Sequence, residues 1–271
     1  LAANAELRGG TLHHMEEGYV RSENMHGIAT VTFHHPKSNS LPGAILGQLA
    51  ERIQAAGDDP SVRVIVLRSA GDKAFCAGAS FDELTAIADE AQGLTFFNGF
   101  AKVINAIRTV PCFVLGRVQA KAVGGGVGLA AAVDVCHAHA GASVKLSELA
   151  IGIGPFVVGP AVERKTGTNA FGLMSTTPEV WRSAEWALHN GLYAEVHATV
   201  EELDHAVAAQ ASTLAGYSAQ AMAELKRVLW KGTEDWGSLL PERAAVSGRL
   251  VLSAYTRSAI AAFKQAAAER R

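Results

Sequence analysis

Cysteine is scarce in this chain. Cys76, Cys112 and Cys136 are the only three in 271 residues, and no two of them form a C-x-x-C pair. That argues against a zinc ribbon or a disulfide framework and suits a reducing compartment, so a cytoplasmic location is expected. An excess of either charge is missing as well: 24 Lys and Arg stand against 26 Asp and Glu, for a net charge of -2. Non-specific nucleic-acid binding rests on basic charge, so no nucleic-acid partner is expected. No apolar run approaches the ~18 residues of a membrane span, so no membrane partner is expected either. The opening LAANAELRGG has no basic region followed by an apolar stretch and does not read as a secretory signal. Neither G-x-S-x-G nor a P-loop occurs, which leaves serine hydrolysis and nucleoside triphosphate hydrolysis without a motif. Apolar residues, in contrast, make up 49% of the chain and charged residues 18%, the composition of a protein with a sizeable core.

The pattern along the chain alternates. After a lead over 1–15, Tyr19 to Ser22 and Ile28 to Phe33 read as strands around the polar turn SENMHG. Gly43 to Ala56 spaces Ile45, Leu46, Leu49 and Ile53 as a helix does, and Val62 to Arg68 is a β-branched strand. Helices are expected over Phe81–Asp89 and Phe96–Ile107, and a strand over Cys112–Gln119. A glycine-rich turn then leads into a helix over Val123–Val133, and short strands follow at Val135–Ala140 and Val144–Leu146. Beyond Pro155 helical periodicity dominates: Arg182–Leu192, Val200–Leu214, Ala219–Lys231 and Glu242–Glu269. Such alternation predicts an α/β core over 16–195 and a helical region over 196–271.

Three stretches carry chemistry. Phe75-Cys76-Ala77-Gly78-Ala79-Ser80-Phe81 lies between a strand and a helix, where small residues let a ligand approach backbone N–H groups; an ordinary tight turn uses the same residues. Gly124-Gly125-Gly126-Val127-Gly128-Leu129 sits at a similar junction. Two functions compete there. One is an oxyanion hole. The other is dinucleotide binding, because Gly126, Gly128 and Ala131 fit G-x-G-x-x-A with Glu148 as the ribose acid. The third stretch holds Glu148, the only acid between Asp134 and Glu163. An acid among apolar residues has a raised pKa and can shuttle a proton near neutrality; a surface carboxylate capping the next element fits the sequence equally well. His13/His14 and His34/His35 are adjacent pairs, which a strand points to opposite faces, so no metal site is expected. The tryptophans Trp181, Trp186, Trp230 and Trp236 are read as packing, and Phe96, Phe97 and Phe100 as either an acyl pocket or core.

Taken in order, PKSNSL, VIVLRSAGDKAFCAGASFDEL, QAKAVGGGVGLAAAVDV, KLSELAIGIGPFVVG and NGLYAEV resemble the crotonase superfamily, the enoyl-CoA hydratase/isomerase family, over roughly residues 17 to 265. The resemblance implies a spiral of β-β-α units with a helical C-terminal trimerisation region, assembled as a homotrimer or a dimer of trimers. It implies an acyl-CoA thioester substrate, with coenzyme A as part of the substrate and no separate cofactor. The matching oxyanion donors are the N–H groups of Ala79 and Gly125, flanked by Gly78, Gly124 and Gly126 as substrate-contacting backbone.

Hydratases of the family carry two glutamates. The second matches Glu148, whereas the first falls on Gly128. One base suffices for a Δ3,Δ2-enoyl-CoA isomerase, and SELAIGIGPF resembles the mitochondrial isomerases. The resemblance therefore implies a single-glutamate isomerase. A hydratase with an atypical second acid and a non-catalytic acyl-CoA-binding or assembly protein are the alternatives. The hydroxyisobutyryl-CoA hydrolases and dienoyl-CoA isomerases use a further aspartate where this chain has Phe156. Lys37 and Ala77 match contacts to coenzyme A, and Phe263 and Lys264 match residues that reach its adenine or phosphate in a neighbouring subunit. Ser80 replaces the aspartate usual in this motif.

Overall fold

A computed structural model describes residues 18–269, so the lead expected over 1–15 lies outside the described residues. The chain opens with an antiparallel hairpin, β1 (Tyr19–Met25) and β2 (Ile28–His34). Its turn is only His26-Gly27, both with positive φ, so the six-residue turn expected from SENMHG shrinks to two residues and β1 runs on through Met25. Helix α1 (Gly43–Asp58) then buries the stripe Ile45, Leu46, Leu49 and Ile53.

From here each unit lays down two strands followed by one or two helical segments. The first is β3 (Val64–Ser69), β4 (Ala74–Cys76), α2 (Phe81–Ala86) and α3 (Glu90–Thr109). The next two are β5 (Phe113–Val118), β6 (Lys121–Val123) and α4 (Gly125–Ala132), then β7 (Val135–His139), β8 (Ser143–Lys145) and a 3₁₀ turn at Glu148–Ile151 leading to α5 (Gly159–Thr176). The longer strand of each pair joins a six-stranded sheet in the order β1-β2-β3-β5-β7-β10, and the shorter joins a four-stranded sheet in the order β4-β6-β8-β9. Strands β9 (Arg182–Ser183) and β10 (Glu195–His197) flank α6 (Ala184–His189) and close the two sheets. This is the spiral of β-β-α units anticipated from the sequence. Strand order in the large sheet never reverses, so it has no topological switch point, the place where a dinucleotide fold binds its ligand. The dinucleotide reading fails on that ground.

Four helices complete the chain: α7 (Val200–Ala215), α8 (Ala219–Leu229), α9 (Trp236–Leu250) and α10 (Ala254–Glu269). Helix α7 covers the large sheet, where Leu203, Val207 and Ala211 form a small second core with Val64, Val66 and Leu115. The division expected at 195/196 runs through β10. None of the described helices is long and apolar enough to cross a membrane.

Several expected boundaries move, each for a local reason. The helix expected over Phe81–Asp89 ends at Ala86, because Asp89 caps the next one: its Oδ1 accepts the Gln92 N–H at 2.8 Å, and α3 starts six residues before Phe96. The continuous helix expected over Glu242–Glu269 breaks at Val251–Ser253, where Ser253 Oγ accepts the Thr256 N–H at 3.2 Å and starts α10. The helix expected over Arg182–Leu192 begins with a strand and shortens to six residues. Strands β4, β6 and β10 are three residues each, too short for an alternation signal, and α5 has only a weak apolar stripe.

One buried ion pair ties α8 to this framework. Asp134 Oδ2 accepts the Val114 N–H at 2.7 Å and lies 2.9 Å from Lys226 Nζ, while Oδ1 accepts Trp230 Nε1–H at 2.6 Å. Lys226 also donates to the carbonyls of Ile107 and Cys112, at 2.7 and 2.8 Å. Burial pushes the Lys226 pKa down, and Asp134 opposes the shift. Removing one partner strands the other charge in a low-dielectric interior. Lys226→Met is therefore expected to cost about 3–5 kcal/mol of stability. Urea denaturation at fixed protein concentration checks this, and an unchanged midpoint would contradict it.

Candidate active site

Three backbone segments converge beside the four-stranded sheet. The first is Ala77–Ser80, stitched to Ser38–Leu41: Ala77 N–H donates to Ser38 O at 3.1 Å, Leu41 N–H to Gly78 O at 2.8 Å and Ser80 N–H to Leu41 O at 3.2 Å. This pattern skips the Ala79 N–H, which meets no acceptor among the described residues. Ser80 caps α2 through its hydroxyl, which accepts the Glu83 N–H at 3.5 Å. The serine that departs from the family's aspartate thus fixes the exit of this loop.

The second segment is Gly124–Gly126. Gly124 N–H donates to Lys145 O at 2.9 Å, and Gly124 O accepts from Val127 and Gly128 at 2.9 and 3.1 Å. Gly125 is the first residue of α4, so its N–H has no intrahelical partner, and none of the described residues accepts it. Two glycines let the segments touch. Gly78 has φ +88, and a Cβ there would lie 2.9 Å from Val123 O and 3.7 Å from Gly125 N. Phe100 backs Gly125 so closely that a Cβ there would lie 2.2 Å from Phe100 Cε1. Of the two readings of the phenylalanine trio, core packing holds: Phe96, Phe97 and Phe100 are all buried.

The third segment carries Glu148, at the start of the 3₁₀ turn. A Cβ on Gly124, whose φ is +51, would fall 2.8 Å from Glu148 Oε1, so the carboxylate rests against the glycine turn. Its Oε2 is out of solvent and has no hydrogen-bond partner. Burial without a countercharge pushes the Glu148 pKa up from 4.5 to about 7, against a small opposing pull from its own backbone N–H. The sequence left open a solvated capping carboxylate; the observed residue is half-buried, with Oε2 out of solvent and without a hydrogen-bond partner.

The first segment opens onto a cleft of about 840 Å³, which Val123, the residue before the glycine turn, also lines. Its walls include Lys37, Ala77, Ala79, Phe263 and Lys264, and run through Ser147 and Ala150 on either side of Glu148. Phe263 and Lys264 were expected to serve a neighbouring subunit. Within the described chain both line its own cleft: Phe263 stacks on Phe81 with centroids 4.8 Å apart, and Lys264 Nζ lies 3.4 Å from Asp82 Oδ1. Lys37 pairs with the same carboxylate, and the two lysines, Lys37 foremost, hold the Asp82 pKa below its usual value.

Two cleft residues escaped the sequence reading. Trp181 was assigned to packing, yet it is 41% exposed, lines the cleft, and carries Lys145 Nζ at 4.8 Å over its ring. Nothing local marks Trp181, because β9 brings it to β8 only through the fold. At the position of the family's other glutamate, Gly128 packs against α5's entrance: a Cβ there would lie 2.4 Å from Val158 Cγ1. Phe156 is half-buried.

A family model described as enoyl-CoA hydratase/isomerase matches residues 23–251. The chain is 28% identical over 205 residues to a Bacillus subtilis protein named "probable enoyl-CoA hydratase", covering 75% of this chain and 78% of that one. For several other curated relatives the matched stretch spans less than half of their length. Among solved structures, an enoyl-CoA hydratase from Bacillus halodurans superposes with TM-score 0.83 at 21% identity, covering 90% of this chain and 99% of that one, a likeness of fold. One from Mycobacterium avium subsp. paratuberculosis does so with TM-score 0.79 at 26% identity, covering 91% and 95%.

The state of Glu148 is measurable through stability alone. A carboxyl that holds its proton more tightly when folded contributes fully below pH 4.5 and loses that contribution as pH rises through about 7. Glu148→Gln removes the titration. Relative to the parent chain it is expected to gain stability on the order of 3 kcal/mol at about pH 8, with the gain falling below about 1 kcal/mol near pH 5. Urea midpoints at the two pH values test this; a pH-independent difference would mean that the carboxyl is not held in its protonated form.

Proposed function

Because the chain belongs to the enoyl-CoA hydratase/isomerase family, we propose that it moves the double bond of an enoyl-CoA from Δ3 to Δ2, with Glu148 as the one acid–base group. The thioester oxygen accepts hydrogen bonds from the Ala79 and Gly125 N–H groups. Charge develops on that oxygen as C2 loses a proton, and each preorganised donor contributes about 3–4 kcal/mol to the transition state. The Glu148 carboxylate takes the C2 proton, leaving a dienolate delocalised from the oxygen to C4. The protonated Glu148 then delivers the proton to C4 on the same face. The double bond ends between C2 and C3, and the carboxylate is regenerated. A pKa of about 7 suits both halves, since the group is substantially ionised at neutrality yet a competent acid once protonated. Lys37, Ala77, Phe263 and Lys264 would contact the coenzyme A portion, and the same reading implies three or six copies in the assembly.

The observation that carries this reading is that, of the two positions where the family carries its acids, only that of Glu148 holds one. Of the carboxylates that line the cleft, Asp82 is paired with Lys37 and Lys264, and Glu179 lies beside Trp181 in the chain. Glu148 Oε2 is out of solvent without a partner, and at Gly128 even a Cβ would collide with Val158, so a second glutamate has no room there. Syn-addition of water is normally run by two acids, one holding the nucleophilic water. A hydratase reading has the names of relatives in its favour, among them the Bacillus subtilis protein. It requires a water-orienting group from outside the two usual positions.

Conjugated thioesters absorb in the ultraviolet, so one assay separates the readings. Absorbance is expected to rise when the chain meets a 3-enoyl-CoA, and to show no comparable fall with crotonyl-CoA, which hydration would bleach. kcat/KM should climb with pH and level off above about 7, because the free enzyme must carry the ionised base. Glu148→Gln should lower kcat by roughly 10²–10⁴-fold. Wild-type turnover in that variant would defeat the base assignment. Rapid bleaching of crotonyl-CoA would favour the hydratase, and tight acyl-CoA binding without turnover over a broad panel would favour a non-catalytic binder.

A further inference from the structure

On the large sheet, under α7, three groups with lone pairs face one another. His137 lies on β7 beside the small second core, while Glu195 and His197 stand two residues apart on β10 and therefore share one face of that strand. The parallel register sets Glu195 opposite His137. His137 Nδ1 is 3.1 Å from His197 Nε2, and Glu195 Oε2 is 3.8 Å from the first nitrogen and 3.7 Å from the second. The side chains of His137 and His197 are 3% and 14% exposed, whereas that of Glu195 is 62% exposed. From α7, Gln210 Oε1 lies 2.5 Å from His137 Nε2. A carbonyl oxygen can only accept, so in the neutral imidazole Nε2 carries the His137 proton and Nδ1 turns a lone pair toward the other two residues.

We propose that His137 Nδ1, His197 Nε2 and Glu195 Oε2 form a binding site for one divalent transition-metal ion of the zinc class, with water in the fourth position. Two imidazoles and one carboxylate are a donor set that such ions take, at ~2.0–2.2 Å. With bonds of that length, two nitrogens 3.1 Å apart subtend roughly 100° at the ion, close to tetrahedral. The carboxylate, at 3.7 Å, has to close by only about 0.4 Å, and it is the exposed member of the set. Without an ion, His197 Nε2–H donates to His137 Nδ1. Loading the site moves that proton to His197 Nδ1 and tilts the ring off the hydrogen-bond line, so the proton count of the neutral pair is unchanged. Gln210 is the outer partner that fixes the His137 tautomer. Arg117, in register with His137 on β5, is neutralised by a bidentate pair with Asp204 at 2.6 and 3.0 Å. The histidine pairs singled out in the sequence play no part in this cluster. His34 and His35 lie by the hairpin, with His35 Nδ1 at 2.9 Å from Ser40 Oγ, and His13 and His14 lie outside the described residues.

The test uses the full chain without an affinity tag, stripped with a chelator and titrated at about pH 8 with Co²⁺ followed by absorbance and with Zn²⁺ followed by calorimetry. One ion per chain is expected, with visible Co²⁺ bands that Zn²⁺ abolishes. His197→Ala and Glu195→Gln should each weaken binding at least tenfold, and Gln210→Ala by about 10–100-fold. Glu195 is exposed, so its variant tests the site without threatening the fold. A double replacement of His13 and His14 by Ala should bind as the parent does. Absence of saturable binding would overturn the site, as would binding indifferent to both His197→Ala and Glu195→Gln, or binding lost with His13 and His14.

Discussion

A carboxylate oxygen held out of water with no countercharge is the constraint on which the cleft depends. Glu148 would relax toward solvent if its backbone were free, and three contacts prevent that. Gly124 N–H is tied to Lys145 O, which fixes the glycine turn to the strand just before the glutamate. The 3₁₀ turn ends at Gly152, in the left-handed region, and the Ile153 N–H returns to Glu148 O at 3.0 Å. Helix α10 then presses on the same turn, so that a Cβ on Gly152 would lie 2.6 Å from Thr256 Oγ1. At Gly124 and Gly152 glycine supplies closeness as much as a backbone angle: a side chain at either would take space that the carboxylate or the last helix already fills. The raised proton affinity of Glu148 is thus a property of the scaffold around it.

The cleft mouth is organised on a different principle. Lys37 from the first loop and Lys264 from the last helix share Asp82 at the start of α2, and Phe263 stacks on Phe81 one residue away. Two cations are thereby held on one side of an open groove by one carboxylate. On the proposed reading this ordering precedes the ligand, so less of the lysines' rotamer freedom remains to be lost when phosphates arrive. Asp82 is exposed, and such pairs are weak in water, so an incoming dianion can compete for them.

Much of this was legible from residue pattern. A β-branched stretch marked β3, and small-residue runs at strand-to-helix junctions marked the loops holding Ala79 and Gly125. Glu148 stood out as a lone acid among apolar neighbours, but whether it faced water or the interior was not in the sequence, because that depends on Gly124 approaching from another unit of the spiral. Distance along the chain hid Trp181 and Lys145 from one another, and it hid the His137, Glu195 and His197 cluster, whose members join only when β10 pairs with β7. The contact of α10 with its own chain's cleft was hidden for a related reason. Periodicity identifies a helix but not the break at Ser253 that redirects it over its own chain.

Helix α4 shows how packing limits the chemistry available to such a scaffold. All eight of its residues, GGVGLAAA, are buried, and none has a polar side chain. Gly128 sits where Val158, just ahead of α5, leaves no space for even a methyl group. Exchanging Gly128 for a glutamate would therefore not by itself supply a second acid. The new side chain would first have to displace Val158, itself buried in the core, and then carry an unpaired carboxylate into the space it opened, with a desolvation penalty of several kcal/mol. A shift to two-acid chemistry would need the α4–α5 contact rebuilt around a polar, water-accessible gap, with a smaller residue at 158. The identity of residue 128 and the packing of residue 158 form one coupled choice, and in this chain both members favour a closed apolar wall opposite a single base.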